Sequence, residues 1–200
     1  METKNRKLPK QARSRKRYDH MLTTAADLFA RNGVAQVTTN HIAAEAGVSI
    51  GSVYQFFPNK EAMIEALIER YMTQFDGIFP ECLDTSDPIT NVIRGVVSRL
   101  VEFKESNHGF EQILVGTSNA NATEEMQKLI VRKISWVLNA YYPEMGEDQR
   151  YLCAGVSFAI VAGMMPAKLP NQLMIEETVL AVNAYQQAFV ERENQAKEPA

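Results

Sequence analysis

Helical periodicity is the feature that most limits how this 200-residue chain can fold. Between residues 14 and 32, apolar side chains recur every three or four residues, which places them on one face of an α-helix, and Gly33 follows as a stop signal. Similar stripes return along the chain, whereas no segment of four to eight residues alternates apolar and polar side chains as a half-buried strand does. The sequence therefore predicts an all-α fold.

Two short helices joined by a tight turn are predicted next. Thr38 or Thr39 is placed to cap a helix that reaches about residue 46. Ser49 is placed to cap a second helix over residues 50–57, which the following proline ends. Short helices separated by a glycine-containing turn form a helix-turn-helix.

The remainder of the chain is expected to consist of longer helices. A connecting helix is predicted over residues 59–79, followed by a polar, acidic loop. Further helices are predicted over residues 88–106, 108–117, 123–142, 148–165 and 173–193. The expected organisation is an arm over residues 1–13, the helix-turn-helix domain over 14–60, and a helical domain over 80–200.

Charge is divided unevenly along the chain, although the net charge is only −3. Residues 1–70 contain 11 Lys and Arg against 7 Asp and Glu, whereas residues 71–200 contain 10 against 17. Eight of the cations lie within the first 17 residues, and such a run repels itself until a polyanion neutralises it. We expect a flexible basic arm, which either meets a polyanion or is a solvated tail without a partner.

Three motifs follow one another in the first third of the chain. Leu28-Phe29 stands just before Gly33, residues 42–51 are Ile-Ala-Ala-Glu-Ala-Gly-Val-Ser-Ile-Gly, and residues 54–60 are Tyr-Gln-Phe-Phe-Pro-Asn-Lys. Together they resemble, over roughly residues 14–75, the N-terminal domain of the TetR family of bacterial transcriptional regulators. The resemblance implies an N-terminal three-helix DNA-binding domain followed by a C-terminal helical effector-binding and dimerisation domain.

The resemblance also implies which side chains face the bases of double-stranded DNA. Ser52 and Gln55 would meet base edges, and Gln55 is suited to a bidentate bond with adenine. Ile50 and Gly51 would allow close approach and apolar contact with a thymine methyl group. Asn40 matches a family position that can reach a base.

Three further residues are expected at the phosphates. By resemblance, Tyr54 and Lys60 would hold phosphate oxygens, and Thr39 would offer its hydroxyl at the start of the second helix. The alternative is purely structural: Tyr54 packs in the domain, Lys60 is a solvated charge, and the small residues fill a tight corner.

Residues 47–51 also satisfy the Gly-x-Ser-x-Gly pattern of a hydrolase nucleophile elbow, and acidic residues and His108 follow in hydrolase order. An elbow requires a strand before the serine, whereas a helix is predicted there. A hydrolase with Ser49 as nucleophile is therefore only a remote alternative, and we expect the protein not to be an enzyme.

The remaining chemistry of the sequence is sparse. Cys82 and Cys153 form no Cys-x-x-Cys motif, so neither a disulfide framework nor a zinc site is expected, and no cofactor is indicated. The longest apolar run, residues 152–165, is shorter than the roughly 20 residues of a membrane span. The basic N-terminus lacks the apolar core of a secretory signal, so we expect a cytoplasmic protein.

The last two helices are predicted to form a homodimer interface. Gly155, Ala159 and Gly163 lie four residues apart, which permits close helix approach. The final helix carries an apolar stripe formed by Ile175, Val179, Val182 and Phe189. A twofold dimer would place two recognition helices on a palindromic operator. The alternative is that these residues form an internal core without a dimer.

A small-molecule effector, apolar or amphipathic, is expected between helices of the C-terminal domain, which would make the protein a ligand-responsive repressor. Each candidate lining residue could equally be ordinary core. A helical small-molecule carrier that no longer binds DNA is the alternative function. The candidates are Phe103, Phe110, Leu114, Trp136, Tyr141, Phe158 and Met164.

Overall fold

The described part of the structure, a computed structural model, comprises residues 11–110, 112–113, 120–165, 167 and 169–195. Within these ranges the chain forms α-helices and a short 3-10 helix, Val34–Gln36, and no strand. The α-helices are α1 Ala12–Asn32, α2 Thr39–Glu45, α3 Ile50–Phe56, α4 Lys60–Asp76, α5 Ile89–Ser106, α6 Ala120–Tyr141, α7 Glu147–Met164 and α8 Asn171–Gln195. The all-α prediction is confirmed. The helix predicted over residues 108–117 lies partly outside the described residues, as does most of the arm.

The chain divides into two compact units that do not follow chain order. The first unit contains the described residues up to Phe75 and those of the segment Lys104–Thr123. The second contains Asp76–Phe103 and the described residues from Glu124 onward. The described residues of this segment, 104–123, therefore belong to the unit that contains α1–α4 and not to the unit of the later helices.

The core of the first unit is closed by aromatic side chains at the end of α3. The ring of Tyr18 on α1 stacks on Phe57, with 4.8 Å between ring centroids, and meets Phe56 edge-on at 5.9 Å. Phe29 on α1 and Leu67 on α4 are fully buried, as the apolar stripes of these two helices predict. Burying rings and aliphatic side chains from three elements fixes where α3 lies in this unit.

Gly109 marks a close approach of the segment after α5 to α1. Its φ of 84° lies in the left-handed region, and a Cβ there would overlap the carbonyl oxygen of Ala26 and lie 3.1 Å from its carbonyl carbon. The neighbouring Phe110 ring meets Tyr71 edge-on at 5.3 Å and lies 5.4 Å from the Phe75 ring. Only glycine fits this position without displacing the backbone.

The second unit is built from α5 and the three helices α6, α7 and α8. Val131, Leu138, Cys153, Ala154 and Phe189 form one buried cluster, and Ile93, Val97, Val179 and Val182 form another. A polar contact also joins two of these helices. Thr90 Oγ1 donates to Asn183 Oδ1 at 2.9 Å, which joins α5 to α8. No helix within the described ranges combines the length and apolar character needed to cross a membrane.

The apolar stripe of α8 faces inward, contrary to its expected role as an exposed interface. Val179, Val182 and Phe189 are each no more than 3% exposed in the single chain, so they belong to the core. Another face of α7 and α8 is exposed instead, and it includes Leu152 at 56% and Leu180 at 62%. The period of a stripe does not reveal which of two apolar faces the unit itself buries.

Candidate nucleic-acid interface

The two short helices are capped at their first turns as the sequence predicts. Thr38 precedes α2, and its Oγ1 accepts a hydrogen bond from the His41 backbone N–H at 3.3 Å. Ser49 precedes α3, and its Oγ accepts from the Ser52 backbone N–H at 3.2 Å. Between them Gly47 adopts a φ of 63°, which allows the chain to turn sharply. The geometry is that of a helix-turn-helix.

Side chains from α1 hold this motif in place. His20 Nε2 lies 3.2 Å from the Ala46 carbonyl oxygen at the end of α2. Arg31 forms an ion pair of 2.7 Å with Glu45, which raises the pKa of the arginine, first through the hydrogen bond and then through the charge of Glu45. The pair is exposed, so its contribution to stability is small.

Helix α3 presents one face to solvent and buries the other. Val53 is fully buried and Phe56 is 5% exposed, which anchors the helix. On the opposite side Tyr54 is 52% exposed, and Gln55 and Gly51 are exposed as well. Ile50, at 36%, begins this outward face. A helix that is anchored by two buried residues and exposed along its opposite face can enter a groove of DNA.

Ser52 and Asn40 occupy different environments. Asn40 is exposed on the first turn of α2. Ser52 is half-buried, and its Oγ lies 2.9 Å from Ser49 Oγ, so this hydroxyl also supports the turn. Ser52 is therefore less free than Gln55 to reorient toward a base.

Thr39, Tyr54 and Lys60 line one surface depression of about 270 Å³. Thr39 Oγ1 and Tyr54 Oη lie 3.4 Å apart, which brings the start of α2 against α3. Lys60 Nζ donates to the Val34 carbonyl oxygen at 2.8 Å. An ammonium group has three N–H donors, so two remain for other acceptors. Two hydroxyls and an ammonium in one depression can bind phosphate oxygens.

The backbone contact of Lys60 is a role that the sequence did not reveal. The side chain is half-buried because it reaches from the first residue of α4 to the 3-10 turn. It is therefore neither a simple solvated charge nor a group reserved for phosphate. Only the distance between residues 34 and 60 in the fold shows this contact.

Ser49 lies between two helices, not after a strand, and its hydroxyl caps α3. The geometry of a nucleophile elbow is therefore absent from this segment.

Burial raises the pKa of the Cys153 thiol to about 11, so the group is protonated at neutral pH. Across the described ranges, no cluster of His, Cys, Asp or Glu side chains could hold a metal ion.

The predicted ligand residues are scattered through the described structure. Phe103 is buried, and Phe110 packs on Tyr71 and Phe75 in the first unit. Trp136 is 41% exposed on α6. Tyr141 Oη lies 3.1 and 2.8 Å from the carbonyl oxygens of residues 84 and 87, which share its one proton.

Phe158 packs against the buried cluster around Leu138, and Met164 is half-buried at the last position of α7. Leu114 lies outside the described residues.

The second unit contains a cavity of about 50 Å³, which the six described candidates do not line. Its two polar lining residues, Ser157 and Gln186, were missed. The sequence signal that could have found this site is a polar residue within an apolar stripe: Gln186 stands seven residues after Val179 and three before Phe189.

The fold and the exposed recognition helix define a class, the helix-turn-helix proteins with an all-helical second unit. Comparison with known proteins gives the same class. Residues 21–67 match the profile described as bacterial regulatory proteins, tetR family. The chain is 30% identical over 162 residues to the nucleoid occlusion factor SlmA of Vibrio cholerae serotype O1, a match that covers 78% of this chain and 80% of that protein. The chain therefore belongs to the TetR family of bacterial regulatory proteins.

Other relatives match over a shorter part. The SlmA protein of Actinobacillus pleuropneumoniae serotype 5b is 29% identical over 110 residues, 55% of this chain and only 54% of that protein. The transcriptional repressor KstR2 of Mycolicibacterium smegmatis is 28% identical over 118 residues, 59% of this chain and 56% of its own length. The alignment thus spans about half the length of these curated relatives.

A solved TetR-family regulator from Streptomyces coelicolor has the same fold. It superposes with a TM-score of 0.66 and 18% identity, covering 92% of this chain and 90% of its own. At that identity the likeness concerns the fold.

Proposed function

We propose that the protein is a sequence-specific DNA-binding transcriptional regulator. The observation that carries this proposal is α3, which is anchored by Val53 and Phe56 and leaves Tyr54 and Gln55 exposed. Such a helix lies in the major groove with its N-terminal residues at the base edges. Gln55 forms a bidentate bond with adenine, while Ile50 and Gly51 allow contact with a thymine methyl group. Ser52 and Asn40 complete the base-facing set.

Phosphates bind at the depression beside α3. Thr39, Tyr54 and Lys60 supply two hydroxyls and a cation there. The exposed cations Arg13, Arg15 and others at the start of α1 add a sequence-independent attraction to DNA. Phosphate contacts fix the register of the protein on the duplex, and the base contacts select the sequence.

The regulator acts as a homodimer on an inverted-repeat operator. The support is the exposed apolar face of the last two helices, where Leu152 and Leu180 are more than half exposed. Small residues on α7, including Ala159 and Gly163, are exposed as well and permit close packing of a second copy. A twofold dimer spaces its recognition helices by about one turn of DNA or a multiple of it.

We propose that the protein is cytoplasmic, where DNA is accessible, and that it has no catalytic activity. Repression is the simplest outcome, because a dimer bound at a promoter blocks polymerase without any further contact. A small apolar or amphipathic effector bound in the second unit would shift the dimer between two states with different DNA affinity. The relative named as a transcriptional repressor supports this direction.

The relatives named nucleoid occlusion factors favour a second candidate function. In that role DNA binding would serve a purpose other than control of the adjacent gene. The two candidates differ in whether transcription next to the bound sites changes when the protein is removed.

Selection of bound fragments from sheared genomic DNA tests the proposal. The purified full chain is used at about 150 mM salt, where non-specific attraction is weak. Enrichment of an inverted repeat supports a dimeric, sequence-specific binder, and altered transcription beside it in a deletion strain supports the regulator over the second candidate. Failure to enrich any sequence would contradict the proposal and favour a helical carrier without DNA affinity.

A further inference from the structure

The cavity of the second unit is apolar except at two neighbouring side chains. It has a volume of about 50 Å³ and is lined by α5, α6, α7 and α8 together with Phe79. Ser157 and Gln186, which are 1% and 3% exposed, are the polar groups at its wall. The described residues that line it include no charged side chain.

Hydrogen bonding fixes how the Gln186 amide is oriented. Ser157 Oγ donates its single proton to the Cys153 carbonyl oxygen at 2.8 Å. The same oxygen must therefore accept from Gln186, and Nε2 lies 3.1 Å away. With Nε2 directed to Ser157, Gln186 Oε1 is a buried acceptor without a donor among the described residues. A buried acceptor of this kind favours any occupant that brings a donor.

We propose that this cavity binds the slender, uncharged end of a ligand that carries one hydrogen-bond donor, and that Gln186 Oε1 accepts this bond. A carboxylate does not fit, because no lining cation offsets its desolvation and it has no proton to donate. An ether lacks the donor, whereas an alcohol supplies it. The cavity is much smaller than the roughly 150 Å³ cavity that holds benzene, so a narrow chain fits better than a ring. This inference deepens the effector part of the proposed function and rests on it.

Methyl NMR of the full chain tests this selectivity with matched probes. The isomers 1-butanol and diethyl ether have the same atoms but differ in the donor, and butyrate replaces the donor with a charge. Shifts are read at Val161 and Val182, which line the cavity, with Leu169, which is 39% exposed, as the reference. We expect 1-butanol to bind about tenfold more tightly than the ether, the effect of one hydrogen bond to a buried acceptor. Butyrate should leave Val161 and Val182 unshifted.

The variant Gln186→Met removes the acceptor and keeps the length of the side chain. The tenfold preference should disappear, while Gln187→Met, a change at the exposed neighbour, should keep it. Ser157→Ala is a second route, because the freed amide can rotate and the preference should shrink. Equal shifts by both isomers in the wild-type protein, no shift at all, or a preference that survives Gln186→Met would overturn the assignment and leave a cavity for water only.

This titration needs no DNA, so its failure is separate from failure of the proposed function. Loss of selectivity with intact operator binding overturns the ligand assignment alone. If operator affinity stays unchanged at a 1-butanol concentration that saturates the shift of Val161, the link between this cavity and regulation is overturned.

Discussion

Adjacent residues of α3 have opposite roles, and the difference lies in burial alone. Val53 and Phe56 are in the core, whereas Tyr54 and Gln55 between them are exposed. A substitution at an exposed position changes DNA binding without removing packing contacts. Residue-scale predictions can therefore separate binding from stability.

Gln55→Ala should relax base choice at one operator position. Loss of a bidentate bond to adenine costs about 1–3 kcal/mol at the preferred sequence and little at non-specific DNA. Fluorescence anisotropy with a set of single-base operator variants measures the change in affinity at each base position. Gln36→Ala, an exposed glutamine in the 3-10 turn, is the matched control. An equal loss of affinity at every sequence would instead assign Gln55 to the phosphates.

Lys60→Ala should weaken binding to all duplexes and lower the salt slope by about one, as expected for loss of one phosphate contact. It should also lower the free energy of unfolding by roughly 1 kcal/mol, because the Val34 carbonyl loses its donor. Salt titration of DNA affinity and urea unfolding measure the two effects. Lys128→Ala on α6 is the control and should change neither. A stability change with an unaltered salt slope would leave Lys60 a purely structural role.

Element bounds and caps could be predicted from sequence because they depend on neighbours within a few residues. Thr38 and Ser49 cap α2 and α3 as their residue types favour, and Gly33 ends α1. Contacts between elements could not be predicted in the same way. The bond from Lys60 to Val34, the inward face of the α8 stripe and the pairing of Ser157 with Gln186 depend on which helix faces meet.

The approach of Gly109 to α1 gives a prediction at the scale of elements. Gly109→Ala should destabilise the protein by about 1–3 kcal/mol, since alanine is strained at this φ and its Cβ would displace Ala26 from the segment after α5. Chemical denaturation measures the change. Gly95→Ala within α5 has room and should be neutral or stabilising by up to about 1 kcal/mol. Equal effects of the two substitutions would show that the close approach does not constrain the fold.

At the scale of the whole molecule, the exposed apolar face of α7 and α8 is the basis for the homodimer. Leu180→Asp places a charge on the most exposed of the large apolar residues described. We expect a monomer in analytical ultracentrifugation and at least a tenfold loss of operator affinity at matched protein concentration, because one half-site contact is lost. Asn139→Asp adds the same charge on α6 and should leave the dimer intact. A Leu180→Asp protein that remains dimeric would place the interface elsewhere.

The most direct test of the central claim compares affinity for the selected inverted repeat with affinity for a shuffled duplex of the same composition. At about 150 mM salt, a protein that reads bases through α3 should prefer the repeat by at least about 10³-fold. Tyr54→Phe should weaken both affinities by a similar factor, because a phosphate contact carries no sequence information. A preference below about tenfold for the repeat, with the protein folded, would contradict the account.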